Sequence, residues 1–127
     1  MKDKQTFNDY LGTVGKLIIG LLEEQRQRYW IENCEITRGI DLIGPDRATG
    51  DDVNNQPESF SMKFLSPKSG EDEIVQITVS PAHDWSPVLS ISSTHVEPFI
   101  VKTSGNPDLD VKTLRVEVAE CFRSLLT

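Results

Sequence analysis

The chain has 127 residues, of which 37% are hydrophobic and 26% charged, and its 20 acidic and 13 basic residues give a formal net charge of -7. A chain of this size buries roughly two-thirds of its unfolded surface, so it can form one domain, 1–127, without staples, and its apolar content excludes a wholly disordered chain. The negative field opposes nonspecific approach to phosphate backbones and anionic lipid, which argues against duplex nucleic acid and membrane surfaces as partners of the chain as a whole.

Thr6 to Trp30 carries the strongest helical period. Phe7, Tyr10, Leu11, Val14, Leu17, Ile18, Leu21 and Leu22 recur at three- and four-residue steps and fall on one broad stripe, opposite Asn8, Thr13, Lys16, Glu23 and Gln27. Thr6 is the expected cap, with Asp9 three residues on. Gly12, Gly15 and Gly20 each lower helix propensity by ~1 kcal/mol relative to Ala, so packing must hold this helix. Gly15, at the stripe's edge, is a place for close approach by another backbone, and Leu17 and Ile18 are expected to be deeply buried. The stripe is wider than a coiled-coil seam, which predicts packing on the chain's own sheet with surplus apolar surface shared across a homodimer. Lys16 interrupts the apolar run and charged residues follow it, so the segment reads as neither a membrane span nor a leader. Arg26, Arg28 and Lys4 are broken up by Glu23 and Glu24, and Glu24 stands four residues before Arg28. That is the pattern of a solvated helix end rather than a binding patch.

From Glu32 to Ile43 the period becomes two, with Cys34, Ile36, Ile40 and Leu42 on the inward parity. Arg38 shares that parity. A bulge at Gly39 is expected to turn it outward, since an inward guanidinium needs a carboxylate partner. Residues 44–57 are rich in turn formers and read as a flexible loop. Asp46, Asp51 and Asp52 in it do not have calcium-loop spacing, and Asp51 and Asp52 are carried forward as contact candidates. Phe60, Met62 and Phe64 alternate with polar residues, as do Val75, Ile77 and Val79 after a turn at Ser66 to Asp72, giving a hairpin with one wet face. Strands with Leu89 and Ile91, then with Phe99 and Val101, follow; Pro98 places the last at an edge. Asn106 or Asp110 can cap a closing helix with the stripe Val111, Leu114, Val118, Cys121, Phe122 and Leu125. The fold class is therefore α+β: a long N-terminal helix, an antiparallel meander of about five strands, and a C-terminal helix. A sheet curled around one helix resembles cystatin-like and secretion-chaperone-like arrangements, with no motif matching either, so analogy licenses no function.

No enzyme or nucleotide-binding motif stands in the chain, no cofactor or metal is implied, and His83 and His95 are the only histidines. A meander puts them at opposite ends of the sheet. Cys34 and Cys121 lack metal-ligand spacing and read as reduced core thiols of a cytoplasmic protein. Trp85, braced by Pro81 and Pro87 and preceded by His83 and Asp84, is the anchor candidate for a protein partner, or else a plug on the core. The expectation for function is a small acidic, non-catalytic factor that binds another protein, of inhibitor, immunity or adaptor type. Two alternatives remain: a small-molecule cavity lined by Tyr10, Phe60, Met62 and Phe64, and an enzyme built from Cys34, His83 or His95.

Overall fold

An apolar stripe on a helix needs a sheet to cover it, and here two helices share one sheet face. The computed structural model describes residues 3–39 and 58–127. Their order is α1 (Lys4–Arg28), β1 (Cys34–Arg38), β2 (Glu58–Leu65), β3 (Asp72–Pro81), β4 (Pro87–Ser93), β5 (Val96–Val101) and α2 (Pro107–Leu126). The strands pair antiparallel in chain order, so the sheet is the expected meander and the fold is α+β. Loop 44–57, Ile40, Leu42, Asp51 and Asp52 lie outside the described residues.

Register explains the core. Phe60 pairs with Ile77, Ile77 with Ile91, Met62 with Val75, and Val79 with Leu89, so the inward residues of β2, β3 and β4 meet in cross-strand rows, and all are buried. From the helices, Phe7, Val14, Ile18, Leu21 and Leu22 of α1 and Val111, Leu114, Val118 and Phe122 of α2 close the same cluster, where Phe64 stacks on Phe122 with ring centroids 5.5 Å apart. Leu17 departs from expectation. It is half-buried beside the fully buried Ile18, because the stripe is centred on Val14, Ile18 and Leu21 and Leu17 falls on its flank. The opposite sheet face also differs from the wet surface expected. Ser59, Ser61, Gln76 and Ser92 there are buried, and Ser61 donates to the Gln76 side-chain oxygen at 2.9 Å.

The helix ends follow capping chemistry. Asp3, one turn earlier than the expected Thr6, accepts the Thr6 amide at 2.8 Å on its carboxylate. That bond holds the Asp3 carboxyl below its ordinary range. Asn106 caps α2, accepting from the amides of Asp108 and Leu109. The two helices run in the same direction. Near their starts the Tyr10 hydroxyl donates to Asp110 at 2.7 Å, and at their far ends Leu126 lines a cleft with Tyr29 and Ile31. Between these, Glu24 pairs with Arg115 of α2 at 3.0 Å, not with Arg28 as its spacing predicts.

Arg38 is not bulged outward. It stays in register opposite Phe60, its guanidinium lies 5.1 Å from that ring's centroid, and Glu58 supplies the carboxylate partner. Gly15 makes this possible: a Cβ there would lie 3.0 Å from Phe60 Cζ and 3.3 Å from Arg38 Cζ. The close approach at Gly15 is therefore by two side chains rather than by another backbone.

Candidate interaction surface

Trp85, read from the sequence as a partner anchor or a plug on the core, sits in the β3–β4 turn, and its backbone takes a left-handed φ of 67°. Its ring is half-buried with its centroid 6.0 Å from that of Phe7, so it packs against the open end of the core. His83 and Asp84 in the same turn are exposed, and Asp84 accepts the Ser86 amide at 3.0 Å; hydrogen bonding from the Ser86 side chain and then from its amide holds the Asp84 carboxyl below its ordinary range. Turn residues of this kind hold the loop's shape.

The other tryptophan is arranged in the reverse way. α1 ends in a Schellman motif: the Ile31 amide donates to the Arg26 carbonyl at 3.0 Å and the Trp30 amide to the Gln27 carbonyl at 3.3 Å. The residue between the helix cap and Ile31 must be left-handed, a place glycine fills without strain. Trp30 fills it, with φ 55° and a side chain 88% exposed. It stands between two clefts. One, of about 330 Å³, is lined with it by Arg26, Gln27, Ile31 and Glu32; the other, of about 180 Å³, brings in Tyr29, Leu65, Pro67 and Leu126. Leu65 is itself half in solvent. The result is an apolar prominence flanked by Arg26 and Glu32 at one end of the molecule. Sequence reasoning left Trp30 as the mere exit from the helix. The signal that finds it is a tryptophan where the helix stop calls for glycine, followed at once by Ile31, the hydrophobic residue that ties a Schellman end to its helix.

The residues of the catalytic alternative are kept apart. His83 lies in the β3–β4 turn and His95 in the β4–β5 turn, at opposite ends of the sheet. His95 binds the buried Glu73 carboxylate at 2.9 Å, and Thr94 donates to the same carboxylate at 2.6 Å. Cys34 heads β1 opposite Phe64, which in turn faces Glu73, so two strand spacings of ~4.8 Å separate the thiol from that carboxylate. Burial pushes both thiols, Cys34 and Cys121, above the usual value. Among the described residues no group of three or more His, Cys, Asp or Glu is placed to hold a metal ion, and no helix is long and apolar enough to cross a membrane. As for the small-molecule cavity, Phe60 and Met62 are wholly inaccessible, Phe64 nearly so, and Tyr10 is tied to Asp110.

No family model, curated protein or solved structure matches this chain. The reading of its function rests on the residues alone.

Proposed function

We propose that the chain is a non-catalytic factor that binds another protein, of inhibitor, immunity or adaptor type, with Trp30 as the anchor of the contact. The observation that carries this reading is the conformation and exposure of Trp30 together. A bulky residue in the left-handed region costs of order 1–3 kcal/mol, and the ring regains little of that by packing when most of it is in water. Folding gives no reason for tryptophan there, whereas binding does: tryptophan is one of the three side chains enriched among the few that dominate protein–protein affinity. Leu65, Pro67 and Leu126 supply apolar surroundings for the same contact, and Arg26 and Glu32 a polar margin.

The test is affinity capture with the intact chain from its native cell. A partner recovered in stoichiometric amount, and lost when Trp30→Gly is used as bait, is the expected result. No stoichiometric partner, or one held equally by both baits, would refute the proposal.

A further inference from the structure

Two helices cannot roof five strands. Helices pack about 8–10 Å apart and strands about 4.8 Å apart, so each helix covers roughly two strands. Here α1 lies over β1, β2 and β3, and α2 over β3 and β4, while β5 is buried at Val101 but exposed from Val96 to Ile100. The consequence is visible in its side chains. Phe99 continues the row of Phe60, Ile77 and Ile91 yet is 44% exposed, and Val96 is 49% exposed. Between β4, β5 and α2 runs an open groove of about 200 Å³, with Ile91, Val96 and Phe99 as its floor and Glu117, Cys121 and Glu120, whose carboxylate also pairs with Arg123 at the surface, on its helical wall.

We infer that this groove is a docking site for an amphipathic helix of another protein, apolar towards Val96 and Phe99 and carrying Lys or Arg towards Glu117 and Glu120. It rests on the reading that the chain works by binding protein, but it uses a different surface from Trp30. Three features select this occupant. The vacant place continues the spacing of α1 and α2, so a third helix completes the layer. A strand added to β5 meets Pro98, which has no amide to give, and the register irregularity between Ile91 and Ser93 twists that edge. A second copy would bring the same acidic wall and another net charge of -7, whereas a basic helix complements both.

The experiment uses the full chain and a synthetic peptide about as long as α2, with leucines at helical spacing on one face and lysines beside them. Two control peptides have the lysines replaced by glutamate or the leucines scrambled out of register. Binding is followed by fluorescence anisotropy, mapped by amide chemical shifts, and the peptide's conformation read by circular dichroism. The expected result is helical binding that shifts the amides of Val96, Phe99, Glu117 and Glu120 and is lost with either control peptide. It should weaken at least about tenfold in Phe99→Asp and in the double variant Glu117→Lys, Glu120→Lys. All altered side chains are at the surface, and Trp30→Gly should leave this binding unchanged, which separates its failure from that of the Trp30 contact. Equal binding of the scrambled peptide, a bound peptide that is extended, shifts confined to the Trp30 end, no binding at all, or a stable dimer of the chain that Phe99→Asp dissociates would each overturn the inference.

Discussion

Tyr10 and Asp110 show how one buried pair can set the relation of two helices. Asp110 is buried and accepts from the Tyr10 hydroxyl at 2.7 Å, the Ser104 amide at 2.6 Å, the Ser104 hydroxyl at 2.8 Å and the Gly105 amide at 3.1 Å, so its charge is met on both oxygens. Tyr10→Phe removes one charge-assisted bond and should lower stability by about 1.5–3 kcal/mol in urea unfolding, towards the lower figure because three donors remain. Burial, then the bond to Asp110, pushes the Tyr10 phenol far above its ordinary 10.0. A raised folded-state pKa means that the unfolded chain loses this proton first. The contribution is thus complete below about pH 10 and falls away as pH rises beyond it. The wild type should lose stability steeply on the alkaline side of pH 10, and Tyr10→Phe should lose less. At Trp30 the sign is opposite: Trp30→Gly relieves the left-handed strain and should raise stability by about 1 kcal/mol, measured by the same unfolding curves.

At the scale of elements, the glycines of α1 separate propensity from packing. Nothing lies within 4 Å of a Cβ added at Gly12 or Gly20, so Gly12→Ala and Gly20→Ala should each stabilise by up to about 1 kcal/mol. Gly15→Ala should destabilise despite the same gain in propensity, because its methyl meets the Phe60 ring, pinned in the core, and the Arg38 guanidinium above it. Thermal unfolding of the three variants orders them directly. Ile18→Ala should cost ~2–5 kcal/mol and Leu17→Ala less than about half of that, since only Ile18 is fully enclosed. These elements were largely legible in the sequence. Alternation placed Phe60, Met62 and Phe64 and Val75, Ile77 and Val79 on the face they occupy, and the spacing of Val111, Leu114, Val118 and Phe122 gave α2, with Asn106 or Asp110 as its cap, of which the helix uses Asn106. Local patterning carries such information because a strand or helix must turn its own apolar residues one way. Arg38, Leu17 and Gln76 were not legible. The fate of each depends on what another element places against it: Glu58 and Gly15 for Arg38, the roll of α1 on the sheet for Leu17, Ser61 for Gln76.

The described residues form an α+β arrangement, two helices on one face of a five-stranded sheet, with apolar surface where the helices end. α1 ends at Arg28, two residues before Trp30, and α2 at Leu126, while β5 is exposed from Val96 to Ile100, so apolar side chains reach solvent at the end of α1 and along the last strand. Neither site was visible as such in the sequence. Trp85, in the proline-braced turn, reads in the sequence as an anchor or as a plug on the core, and its ring packs against Phe7 at the core's open end. Trp30 was passed over because periodicity tells where a helix stops and not which side chain is left outside. The measurement that tests the central claim most directly is the dissociation constant of the captured partner for wild type and Trp30→Gly, taken with the unfolding midpoint of each. The account predicts that affinity falls at least about tenfold while the midpoint holds or rises. Unchanged affinity in a variant that is folded and equally stable would contradict it.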